Sequence, residues 1–391
     1  MTSEPNDQEL SIVDGGPLHR IQLRLGLMKQ RAPRIVRRAL FFALLAWLPL
    51  LILSALQGVL FTNVKIPFLY DPAAYSRFLL SVPLLIVAEI MIGPRIAEAS
   101  GQFITSGLIR EDQYPDFDAA VAKGLRLRNS TVAEIVILAI TYVGAFESLR
   151  IFSTNFSTWN SLVTESGHRF TLAGYWYVLV SLPIFQFLVY RWLWRTFIWC
   201  RFLWHMSKLD LQLVPTHPDQ AGGLGFLGEA HRLFAVFIFA YAATGSGVFA
   251  RQILFEKVPI DTFRIPVAAF IVLALLIFLG PLFMFAPALL RTRRIALHEY
   301  SALGGKLGRL YHQKWVKGIS AADNSFLSTP DNTSLANYSR DFELVEQTRA
   351  FPFEPRTAVL LALAGLVPVV PLLATVMPMQ EIFELLLKVL R

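Results

Sequence analysis

The run Ala39–Phe61, ALFFALLAWLPLLILSALQGVLF, decides the class of this protein. It holds no Asp, Glu, Lys or Arg, and about 20 mainly apolar residues in a helix are what a bilayer core requires. Six further stretches read the same way: 77–99, 131–152, 171–197, 233–255, 265–290 and 357–377. Of the 391 residues, 54% are hydrophobic and 16% charged, with a mean hydropathy of +0.50; ordinary soluble domains carry roughly 25% charged residues. That balance excludes a disordered chain and argues against a soluble enzyme. The single cysteine, Cys200, excludes an intramolecular disulfide. The expected fold class is all-α: a polytopic bundle of about seven transmembrane helices with cytoplasmic helical extensions.

The net charge of +8 is a matter of placement. Arg20, Arg24, Lys29, Arg31, Arg34, Arg37 and Arg38 crowd the flank of the first span, and the segments after the second, fourth and sixth spans are similarly basic. Roughly three quarters of all Lys and Arg fall on one side, which the positive-inside rule makes cytoplasmic. The charge therefore marks topology, and no nucleic acid is expected. The apolar run starts too late and is too long for a cleaved signal, so it reads as a retained anchor with a cytoplasmic N-terminus. Four regions follow: a basic amphipathic segment, 1–38; a six-span bundle, 39–290, with cytoplasmic loops 100–129 and 203–232; a cytoplasmic helix and acidic segment, 291–356; and a last span with an amphipathic tail, 357–391. Gly365, Pro368, Pro371 and Pro378 should kink that last span or fold it into a re-entrant hairpin. The tail Met379–Arg391 reads as an interfacial helix or as a partner helix in a homo-oligomer. Anionic headgroups are the expected partners of Arg20–Arg38 and of the Arg/Trp belt Tyr190–His205.

Charges inside the spans carry the functional reading. Glu89 sits near the middle of the second span with no obvious partner at its depth, and an isolated charge there costs at least about 2.5–3.5 kcal/mol. Arg95 and Glu98 follow toward the cytoplasm, Glu134 lies one turn into the third span, and Arg191 and Arg195 lie one turn apart in the fourth. Two readings stay open: a wet vestibule leading from the cytoplasm to Glu89, or ion pairs locking the helices together.

The second feature is the cytoplasmic string HPDQAGGLGFLGEAHR, His217–Arg232. Gly222, Gly223 and Gly225 allow close backbone approach, and a glycine-rich run opening a helix can cradle phosphate. His217, Asp219, Glu229 and His231 add imidazoles and carboxylates, but their spacing fits no metal signature; metal and cofactor stay undetermined. A rigid turn packed under the membrane accounts for the same residues. His205, His298 and His312 lie on the same side, so a wider histidine cluster is a further possibility.

This string, together with SLANYSRDFELVEQTRAFPF at Ser334–Phe353 and the Pro-rich last span, resembles an uncharacterised family of bacterial multi-pass inner-membrane proteins. The resemblance covers the C-terminal half and implies a bacterial inner membrane, with no activity attached. Function is expected to be that of a channel or transporter moving an ion or small polar solute through the vestibule. The alternatives are an inner-leaflet enzyme using the histidine loop on a phosphorylated or lipid substrate, and a membrane scaffold or sensor.

Overall fold

A computed structural model describes residues 10–13, 15, 32–151, 156–164, 167–317 and 331–375. Most of the basic segment Arg20–Arg38, the acidic stretch around Asp323, and the tail with Pro378 lie outside them. The protein is all-α, 78% helical. Its long elements are α1 (Ala32–Leu56), α2 (Pro72–Thr105), α3 (Tyr114–Arg128), α4 (Thr131–Ile151), α5 (Leu172–Met206), α6 (Phe226–Glu256), α7 (Ile260–Val316), α8 (Asp331–Glu346) and α9 (Pro355–Ala374). Six of these helices are long and apolar enough to cross a membrane, or seven if α3 and α4, bent by 46° at their junction, form one span. Each expected span has a helix in its place.

The bundle is apolar outside as well as inside. On α1, Leu40, Leu44, Leu48, Ile52 and Leu56 are exposed at four-residue spacing, while Ala39, Ala43, Ala46 and Leu50 are buried. An exposed aliphatic stripe opposite a small-residue stripe is the pattern of a helix with lipid on one face and neighbours on the other. Small residues also set the closest contacts. α6 approaches the start of α2 so tightly that a Cβ at Gly247 would lie 2.9 Å from the Pro72 carbonyl oxygen.

Prolines inside the spans leave helical carbonyls without their usual N–H donor, four residues earlier. Lipid offers no substitute, so neighbouring helices must. Pro49 frees the Leu45 carbonyl, which accepts from the Trp176 indole at 3.4 Å, and Pro183 frees that of Leu179, which accepts from the Tyr142 hydroxyl at 3.3 Å. α2 and α5 share one further device: a wide π-type turn, Ser76–Ser81 and Tyr177–Ser181, placed just ahead of Pro83 and Pro183. Ser81 and Ser181 close these turns by donating to Ala240 (2.5 Å) and Ala46 (2.6 Å) carbonyls on neighbouring helices.

The two ends differ. At one end a two-stranded hairpin, β1 (Ser161–Thr164) and β2 (Gly167–Phe170), joins α4 to α5. Trp159 donates from Nε1 to Asp71 Oδ2 at 2.8 Å and fixes this hairpin end to the cap of α2. At the loop end gather the α2–α3 turn, the glycine-rich loop and the α8–α9 connection. There α7 runs on beyond its apolar part and packs against α8; the Tyr338 hydroxyl bonds the Tyr300 carbonyl at 2.9 Å. α9 changes from α-helix (Pro355–Leu366) to the tighter 3-10 form (Val367–Thr375), with Pro368 and Pro371 in the latter.

Candidate functional site

Three polar assemblies lie within this fold, two toward the loop end and one at the hairpin end. The first is built on Glu89, which is 4% exposed. The expectation that it lacks a partner is corrected. Its Oε2 is bonded by Arg38 from α1, its Oε1 lies 2.8 Å from Arg195 Nη1, and Arg191 Nη1 is 3.8 Å away. The reason is depth. α2 starts at Pro72 and ends at Thr105, so its middle sits level with the first turns of α1, where Arg38 enters the bundle. Glu134 acts electrostatically on Arg191 from α4. Arg95 and Glu98 do not join: they pair with each other at 2.8 Å on the surface. In place of the open vestibule expected on the cytoplasmic side, Glu89 anchors a packed ionic knot joining α1, α2 and α5.

The knot is also covered. Residues 10–13 enter the loop end as a plug in which Leu10 and Ile12 are buried. Leu10 N donates to Ser100 Oγ at 2.7 Å, and Arg195 Nη2 reaches the Val13 carbonyl at 3.5 Å. Val13 lies against Gly93 and Leu10 against Gly124, each where a Cβ would collide at 2.7 Å. Sequence reading missed this segment because three apolar residues inside a polar stretch carry no periodic signal.

The second assembly is the glycine-rich loop. Its cradle is filled by the protein itself. Asp219 Oδ1 accepts from Ala221 N (2.8 Å) and Gly223 N (3.1 Å), and Oδ2 from Gly225 N (2.7 Å). His217 Nδ1 stands 2.8 Å from Oδ1. Burial pushes the Asp219 carboxyl up, but these backbone N–H groups and His217 outweigh it and hold it below the usual carboxylate value. Gly222 and Gly223 take φ of +63° and +97°, which is what their glycine identity supplies. His231 is turned away from His217, at 1% exposure: Trp199 Nε1 donates to its Nε2 at 3.3 Å, and its Nδ1 bonds the Leu227 carbonyl at 2.7 Å. Glu229 pairs on the surface with Arg232. Among the described residues no three of His, Cys, Asp and Glu come together as a metal would need.

This loop docks on the second stretch singled out in sequence. Arg349 N donates to the Gln220 carbonyl at 2.7 Å, its guanidinium bonds the Asp219 carbonyl, and Gln220 bonds Gln347 at 2.8 Å. A Cβ at Gly228 would stand 2.9 Å from the Pro352 carbonyl oxygen. The two motifs are thus halves of one structural joint, and the Ala221, Gly223 and Gly225 N–H groups are taken up by Asp219 within it.

The third assembly was not foreseen. A cavity of about 800 Å³ opens at the hairpin end between α2, α5 and α6, with Arg77, Gln186, Tyr190, Tyr241 and Arg251 in its wall and Trp159 and His168 at its mouth. Arg77 and Arg251 belong to the minority of basic residues that lie away from the positive side. Trp192, fully buried and bonded to the Leu85 carbonyl at 2.9 Å, follows Val189 of the cavity wall along α5, and its ring lies 5.1 Å from the Arg195 Cζ of the knot. Fold and sites together define a polytopic helical membrane protein with a cavity that opens at its hairpin end. Comparison with family models, curated proteins and solved structures returns no match, so the family resemblance extends no further than a multi-pass helical membrane protein.

Proposed function

We propose that the protein is a transport protein of the bacterial inner membrane, binding a small polar solute in the cavity at the hairpin end. The loop end is taken as cytoplasmic because the Lys and Arg excess gathers there, which places the cavity on the opposite side. The observation that carries the reading is the cavity itself. Its volume suits a small molecule, and it combines aromatic walls with a few convergent polar groups, the usual composition of a ligand site. Below it, Trp192 and the Glu89 knot close the way to the cytoplasm, and the plug at residues 10–13 covers the knot. Movement of solute through the bundle requires those contacts to part, as in a gated, alternating carrier.

Gly245 supplies the test. It lines the cavity, and a Cβ there would meet nothing within 4 Å. In proteoliposomes the protein should accelerate flux of at least one of potassium, chloride, an amino acid or benzoate. Gly245→Cys in a Cys200→Ser background should keep that flux and lose it when a bulky maleimide fills the cavity. Flux equal to that of empty vesicles for the whole panel, or flux indifferent to the label, would overturn the proposal.

A further inference from the structure

Resting on the cavity as the solute site, we propose that its ligand is a small organic anion: a carboxylate held by Arg77 and Arg251, with an apolar body against the aromatic wall. Both guanidiniums line the void. The Nε atoms of Arg77 and Arg251 are buried without an acceptor. Arg77 is oriented by a hydrogen bond to the Tyr177 hydroxyl, with the Tyr177 and Phe185 rings 5.9 and 5.7 Å from its Cζ. Among the described residues no hydrogen bond or ion pair takes up the Arg251 guanidinium.

Among the described lining residues a single carboxylate offsets only one of these two charges. The one carboxylate in its wall is Asp71, and both of its oxygens are spent, Oδ2 on Trp159 Nε1 and Oδ1 on Ala73 N at 3.0 Å. Positive groups inside a span ordinarily find a partner or face water, and a planar guanidinium fork matches a carboxylate with two parallel bonds. The wall between them is apolar and aromatic, with Phe185 stacked at 6.4 Å on Tyr241. That combination selects an oxyanion head on an apolar body, and disfavours a cation.

Calorimetric titration of the protein in phosphatidylcholine nanodiscs tests this with three matched probes, benzoate, benzamide and benzylamine. Benzoate should bind at least about tenfold more tightly than the other two, since hydrogen bonds to charged groups are the stronger kind. Arg251→Gln should remove that preference while leaving benzamide unchanged, and Arg251→Lys should restore part of it. Where Arg77→Gln gives a monodisperse protein, it should do the same as Arg251→Gln. Equal affinity for the three probes, no binding up to about 10 mM, or undiminished benzoate preference in both glutamine variants would overturn the proposal. So would binding of inorganic phosphate or phosphatidylglycerol without benzoate. Benzoate preference without flux would remove transport and keep this site; flux with equal probe affinities would do the reverse.

Discussion

At the residue scale, Glu89 is the decisive side chain. One carboxylate holds three guanidiniums from two other helices, and breaking a buried pair costs more than the pair itself contributes, because charges are left uncompensated. Glu89→Gln is therefore expected to lower stability by about 3–5 kcal/mol, read as a large loss of melting temperature and of monodisperse yield in detergent. An unchanged melting curve would remove the knot from the structural account. The residue was legible in sequence, and so were Arg191 and Arg195; Arg38 was not. Arg38 lies 51 positions away, in a basic flank that reads as a topology marker, and only the relative depth of two helices reveals that it turns inward. Arg77 and Arg251 were overlooked for the opposite reason. Each stands near a span end, where an arginine needs no explanation, and only the cavity between their helices makes them notable.

At the element scale, the apolar spans were readable because their signal is local: a run long enough to cross lipid is written in consecutive residues. The hairpin Ser161–Phe170 was not readable, as strands of four residues are too short for a period to register. The glycine-rich loop is legible as a unit, with a binding site and a rigid turn both open; the part of Asp219 as the loop's own organiser emerges only from its backbone partners. Asp219→Asn should loosen the joint with Gln347 and Arg349. Replacing an acceptor oxygen of a partly buried carboxylate strands one backbone N–H at roughly 1–3 kcal/mol, and trypsin should then cut faster at Arg349. The sign of the pH dependence follows from the lowered folded value of Asp219. Its contribution is fully present above the unfolded carboxylate value of about 3.9 and is lost only as pH falls through the still lower folded one. The difference in melting temperature between wild type and Asp219→Asn should therefore be constant from neutral pH to about pH 5 and close up only in stronger acid. A difference that vanished already near pH 6 would contradict this.

At the scale of the whole molecule, orientation joins the parts. Val163 in the hairpin and Val214 before the glycine-rich loop are both exposed, at 43% and 48%. With Cys200 replaced by Ser, a membrane-impermeant maleimide should label Val163→Cys in intact bacterial cells and Val214→Cys only in inverted vesicles. The reverse pattern would place the cavity's mouth in the cytoplasm. One feature also bears on how such a molecule is made. Residues 10–13 are synthesised ahead of the residues that form their berth, Gly93, Ser100, Gly124 and Arg195. Arg195 follows Val13 by 182 positions, which is about 10–35 s of synthesis at 5–20 residues per second. Throughout that interval Leu10, Ile12 and Val13 have no pocket to enter. The segment thus waits for its berth, and the closing of these helices on it is a step that elongation itself times.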